Sequence, residues 1–204
     1  LTNIENYLKI FSKTIYSMGI MNYCSHDPAC CIVRLEGNKL ELISAEEGFL
    51  SRKKKSYHFP IRSMKYCLDY FDISMDNIDV LMLDFMDEER PIKTSNNYRL
   101  LIGDFIRSRL RIKKDKIKFV KSHHYAHALT AFWPSPFKEA AVLVIDGLGS
   151  RQQTTSIFSF TQEGTQKLIF EQVGNGIGTL YSLITEKLGF EDGEEGKTMG
   201  LAPY

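Results

Sequence analysis

The chain has 204 residues, 43% of them apolar and 25% charged, so it can bury a sizeable core and is not an intrinsically disordered tail. Its 26 basic and 25 acidic residues leave a formal charge of +1, which gives no general attraction to nucleic acid or to an anionic membrane surface. No run reaches the roughly 18 consecutive apolar residues of a membrane span, and Cys24, Cys30, Cys31 and Cys67 lie in apolar segments without C-x-x-C spacing, as the reduced thiols of a cytoplasmic protein do.

In chain order, Ile4, Leu8, Phe11, Ile15 and Met18 recur at steps of four and three, which predicts a helix over residues 1–18. No small-residue cleavage site follows it, so it is not read as a targeting peptide. From Gly19 the period changes to two. Strands are expected at Gly19 to Cys24, Ala29 to Leu35 and Lys39 to Ala45, the last two joined by a turn at Glu36-Gly37-Asn38. A helix at Ile61 to Phe71, a strand at Asp79 to Asp84, a helix at Tyr98 to Leu110 and a strand at Ile117 to Val120 complete a first unit, residues 19–137.

A second round begins near residue 138, with an apolar strand Ala140 to Asp146, a hairpin of Thr154 to Phe160 and Lys167 to Val173, and a helix at Gly178 to Leu188. Two such rounds predict an α/β protein with one ribonuclease-H-like lobe and, over 138–204, the start of a second, as in actin, sugar kinases and heat-shock ATPases. In those folds nucleotide lies in the cleft between lobes, an analogy of fold that assigns no reaction. The chain starts at Leu1 and stops at Ala202-Pro203-Tyr204, so a piece of a longer protein is expected. The basic runs Arg52 to Lys55 and Arg107 to Lys118 lack interleaved aromatics and are read as solvated surface.

The segment Ser122-His123-His124-Tyr125-Ala126-His127-Ala128 follows a predicted strand and opens a helix. His123 and His127, four apart, share one helix face and can reach one metal ion, whereas His124 points elsewhere. Asp146, at the end of an apolar strand, is the natural third ligand, and two imidazoles with one carboxylate leave coordination positions open for chemistry. Histidines at this spacing also serve as a helix cap and a core residue, so spacing alone leaves both readings.

Asp146-Gly147-Leu148-Gly149-Ser150 with Thr154-Thr155, and Gly174-Asn175-Gly176-Ile177-Gly178 before a helix, are glycine-rich pieces whose backbone N–H groups can approach an anion. Each is equally an ordinary turn, and no G-x-x-x-x-G-K-[ST] pattern occurs. In Ser25-His26-Asp27-Pro28, His26 is able to act as a base near neutral pH, or the segment is a turn capped by Asp27.

Six ordered motifs carry a resemblance to a known family. They are Ser25-His26-Asp27-Pro28-Ala29-Cys30; Ala45-Glu46-Glu47 with Ser51-Arg52-Lys53-Lys54; His123 to Ala128 continuing into Ala131-Phe132-Trp133-Pro134-Ser135-Pro136-Phe137; Asp146-Gly147-Leu148-Gly149 with Thr154-Thr155; Gly178-Thr179-Leu180-Tyr181 with Leu188-Gly189-Phe190; and Glu195-Gly196-Lys197-Thr198-Met199-Gly200-Leu201-Ala202-Pro203-Tyr204. From about Gly19 to Tyr204 the chain resembles the N-terminal part of the NodU/CmcH carbamoyltransferase family.

The resemblance implies ATP-dependent O-carbamoyl transfer. In this family a YrdC-like domain makes carbamoyl-adenylate from carbamoyl phosphate and ATP, and the actin-like domain passes the carbamoyl group to a hydroxyl of a small molecule. It further implies a divalent metal on His123, His127 and Asp146, iron in the best-understood relatives with zinc or manganese as alternatives. On this basis His26 is assigned to the reacting hydroxyl or the intermediate, and Lys53 or Lys54 to phosphate. Gly147, Gly149 and Gly176 are assigned to nucleotide contact through backbone, and Lys197 is a further anion contact or a solvated loop lysine. Ser150 stands where relatives carry an acid, and Lys55-Ser56 where they carry a His-Asp pair. The YrdC-like domain and most of the second lobe are missing, so the piece alone is expected to be inactive. Alternatives are threonylcarbamoyl transfer to tRNA, which the near-neutral charge disfavours, and a non-catalytic metal- or nucleotide-binding module. No nucleic acid or membrane partner is expected, and a homodimer is left open.

Overall fold

The computed structural model describes residues 14–21, 28–53, 59–84, 109–149, 152–191 and 193–204. Two units divide the chain, residues 1–86 with 91–120, and residues 87–90 with 121–204.

The first unit is built on a five-stranded sheet of order β3-β2-β1-β4-β5, with β1 at Ile15–Met21, β2 at Ala29–Glu36, β3 at Lys39–Glu46, β4 at Val80–Asp84 and β5 at Ile117–Phe119. β1 to β3 form an antiparallel meander, and β4 and β5 extend it in parallel on the other side of β1. This is the order of a ribonuclease-H-like lobe, as the alternation of elements in the sequence predicts. A short helix α1, Glu47–Ser51, and α2, Ile61–Tyr70, lie between β3 and β4. Helix α2 turns Met64 and Cys67 into a core with Met18, Ile20, Cys30, Ile32, Ile78, Leu81 and Leu83. Its first turn has no capping side chain of its own. Buried Glu47 supplies one, accepting hydrogen bonds from Ser63 N and Oγ, both at 2.9 Å.

The helix expected over 1–18 is corrected where it can be seen. Ile15 to Met18 belong to β1, because Met18 and Ile20 are buried and Tyr16 packs against the same core, a period of two that overrides the helical spacing of Ile15 and Met18. Residues 1–13 lie outside the described residues, as does most of the helix expected at 98–110. Cys30 and Cys67 are buried free thiols and Cys31 is a partly buried one, while Cys24 lies outside the described residues.

The second unit repeats the opening meander. β6 at Glu139–Ile145, β7 at Gln153–Thr161 and β8 at Gln166–Val173 form an antiparallel sheet of that order, followed by α4, Ile177–Lys187, and α5, Glu195–Gly200. Helix α3, His123–Phe132, packs on one face of this sheet, where Ala128 and Phe132 meet Val142, Val144, Phe158 and Phe160. Phe160 stacks on Phe132 with ring centroids 5.2 Å apart. Because α3 is buried against β6 and β7, the division between units falls at Val120 and Lys121 and not at the expected 137 and 138. No helix among the described residues is long and apolar enough to cross a membrane.

Candidate metal centre

Ser122 fixes the start of α3. Its backbone is extended and its hydroxyl accepts a hydrogen bond from Tyr125 N at 3.1 Å, satisfying one of the unpaired N–H groups of the first turn. The helix that begins there carries His123 and His127 one turn apart on a common face, with their Nε2 atoms 2.9 Å from each other.

Asp146 reaches the pair from the end of β6. Its own N–H donates to the Thr154 carbonyl at 3.0 Å, which continues the β6–β7 pairing up to the carboxylate. Gly147 N donates to Asp146 Oδ1 at 2.7 Å, so one carboxylate oxygen is held by the loop and the other is turned to the histidines. Oδ2 lies 3.0 Å from His123 Nε2 and 3.9 Å from His127 Nε2. The three ligand atoms all lie within 4.8 Å of one another. Ligands held at about 2.0–2.1 Å from one ion at tetrahedral angles stand about 3.3 Å apart, and the observed separations bracket that spacing. Two imidazole nitrogens and a carboxylate oxygen suit iron(II) or zinc and leave further positions open. The donor set fits a divalent metal.

The Asp146 carboxyl is held down to about pKa 2, first by the hydrogen bond from His123, against the opposing effect of partial burial, and further by Gly147 N–H. An ionised carboxylate is the form a cation requires. His124 differs from the reading that it points away from this group. It is fully buried, its Nδ1 lies 2.7 Å from Ser156 Oγ, and its Nε2 lies 3.9 Å from the same Asp146 oxygen. Burial pushes its pKa down, with the Asp146 charge opposing and His123 and His127 reinforcing the shift. The signal available in the sequence was the polar pair Thr154 and Ser156 at inward positions of β7, in line with Phe158 and Phe160.

The glycines divide into two kinds. A Cβ on Gly149 would meet the His124 ring at 2.7 Å and Gln153 Oε1 at 2.8 Å, and one on Gly176 would run into Thr154. At these positions the close approach that demands glycine is to side chains of the same unit. Gly147 instead has no atom within 4 Å of where a Cβ would stand. Gly178 lies against the Asp146 carbonyl, and Thr179 Oγ1 donates to Gly147 O at 3.1 Å, so the start of α4 braces the loop that holds the carboxylate.

Lys197, on α5, has its Nζ 2.5 Å from Glu194 Oε1 and 5.7 Å from the Phe190 ring centroid. Lys53 is exposed after α1 in the first unit. His26 and Lys54 lie outside the described residues.

A family model described as carbamoyltransferase N-terminus matches residues 94–204. An uncharacterised protein of Synechocystis sp. is 30% identical over 217 aligned residues, which cover 92% of this chain and 34% of that protein. The nodulation protein NolNO of Sinorhizobium fredii is 30% identical over 202 residues, covering 92% of this chain and 29% of its own length. The chain thus spans about a third of the length of the curated relatives it matches. Among solved structures, YeaZ from Pseudomonas aeruginosa superposes with a TM-score of 0.42 at 11% identity, covering 78% of this chain and 66% of that one.

Proposed function

The chain belongs to the carbamoyltransferase family, and on that premise we propose that it provides the metal-binding part of an enzyme that carbamoylates a hydroxyl of a small molecule. Carbamoyl phosphate is the donor, ATP converts it to carbamoyl-adenylate, and the transfer step uses that intermediate. The convergence of His123, His127 and Asp146 within 4.8 Å is the observation that carries the reading.

A divalent ion, iron or else zinc or manganese, would when bound supply positive charge beside an oxygen that becomes more negative during transfer. His123 and His127 would hold it through neutral Nε2 atoms, and Asp146 through Oδ2. Gly147 N–H, by fixing Oδ1, keeps the carboxylate from rotating. The open space at Gly147 supports backbone contact with the nucleotide there, whereas Gly149 and Gly176 have their close neighbours within the unit. Lys53 or Lys54 is assigned to phosphate, and His26 to the reacting hydroxyl or the intermediate, on the family likeness. Lys197 would have to leave Glu194 to meet an anion. The buried free thiols of Cys30 and Cys67 support a cytoplasmic location.

The test is carbamoyl transfer by the full-length parent with His123→Ala and His127→Ala. Each substitution is expected to lower the rate about 100-fold or more, as removal of a metal ligand does. Unchanged transfer in both variants contradicts the metal centre. No carbamoyl-phosphate-dependent release of pyrophosphate from ATP by the unmodified parent would favour a non-catalytic module.

A further inference from the structure

The group on α3 that the proposed ligand set does not use is His124. Its side chain is fully buried, its Nδ1 is engaged by Ser156 Oγ at 2.7 Å, and its Nε2 makes no hydrogen bond among the described residues. A buried ring nitrogen without a partner is uncommon and asks for an explanation. The polar atom facing it is Asp146 Oδ2, 3.9 Å away, beyond hydrogen-bond reach and on the oxygen that His123 Nε2 occupies at 3.0 Å. Gly149 lies along the Cδ2–Nε2 edge of the ring, where a Cβ would stand 2.7 and 2.9 Å from those atoms, so the ring's position there depends on the glycine.

The geometry points to His124 as the positioning residue of this centre, a buried imidazole whose Nδ1 is engaged by Ser156 and whose Nε2–H donates to Asp146 Oδ2 once His123 turns its own Nε2 lone pair to a cation. The inference rests on the metal centre proposed above. Its chemistry follows from counting protons. A His123 Nε2 that binds a cation carries no hydrogen and cannot donate to Asp146, so Oδ2 loses its present donor. Ser156 Oγ can either donate to Nδ1 of His124 or accept from it, and the ionised Asp146 oxygen 3.9 Å from Nε2 favours the form with the ring hydrogen on Nε2, in which Ser156 donates. Ligand carboxylates are commonly held by such a hydrogen bond from outside the coordination sphere, and its removal typically costs 10–100-fold in metal affinity. His124 is on this account neither a ligand nor a proton carrier.

The test is cobalt(II) titration of the 204-residue chain, followed by calorimetry and by the visible absorption of the bound ion. A glutamine side chain can put its amide N–H near the position of Nε2, whereas an asparagine reaches only that of Nδ1. His124→Asn is therefore expected to weaken cobalt binding about 10–100-fold and to shift the absorption bands, while His124→Gln stays within about threefold of the unmodified chain. Ser156→Ala, which deletes a single hydroxyl, is expected to weaken binding several-fold by releasing the ring from its Nδ1 contact, and it stands in for the asparagine variant if far-UV circular dichroism shows that variant unfolded. Equal affinity in His124→Asn, Ser156→Ala and the unmodified chain overturns the inference and leaves the metal centre standing. Equal weakening by Asn and Gln also overturns it, because the ring would then matter for packing alone. An unmodified chain that takes up no cobalt overturns both.

Discussion

Asp146 is the residue on which the proposed centre turns, and its ionisation is open to direct measurement. The carboxyl titrates at about 2 in the folded chain, held there chiefly by the His123 hydrogen bond, against about 3.9 in an unfolded one. A depressed folded-state value contributes stability that is fully present above the unfolded value and is lost as pH falls from about 4 toward 2. The Asp146 carboxyl carbon resonance of the metal-free chain is expected to keep its ionised position down to pH 3, and a midpoint near 4 would contradict the hydrogen-bonded geometry. The glycines make a paired prediction. Gly149→Ala drives a Cβ into His124 and Gln153 and is expected to destabilise the chain by about 1–3 kcal/mol in urea unfolding. Gly147→Ala meets open space and should change stability by about 0.5 kcal/mol or less. Equal effects would contradict the packing. At this scale helical spacing and a strand terminus single out His123, His127 and Asp146, whose ligand atoms the fold brings within 4.8 Å of one another. The sequence did not reveal the part played by His124, because that depends on Ser156, 32 residues away on a strand whose pairing is set by the whole sheet.

The elements matter because they bring those residues together. Helix α3 holds its histidines in place through a single cap and one packed face, so Ser122→Ala is expected to cost about 1 kcal/mol and to weaken metal binding with it. Thermal unfolding and cobalt titration of that variant check both. Loss of stability with unchanged affinity would mean that the first turn of α3 forms without its cap. The hairpin of β7 and β8 and the apolar strand β6 were readable from alternation and apolar runs. The five residues of α1 and six of α5 were not, since neither is long enough to show a repeat. β1 was misread at its start because Ile15 and Met18 satisfy a helical step while Tyr16, Met18 and Ile20 satisfy a strand, and only the neighbouring β2 and β4 decide between them.

For the whole molecule, two units with related openings are legible in the repeated order of elements, but their division is not, because α3 follows one unit in the chain and packs in the other. The family match lies over residues 94–204, which take in most of the second unit, and the chain spans about a third of its relatives' length, so metal binding is the part of the proposed function that can be tested on this chain alone. The decisive measurement is anomalous diffraction from crystals of the 204-residue chain loaded with zinc. The account predicts one strong peak about 2.0–2.2 Å from His123 Nε2, His127 Nε2 and Asp146 Oδ2 together. A peak bound elsewhere, or none at these three atoms, would contradict it.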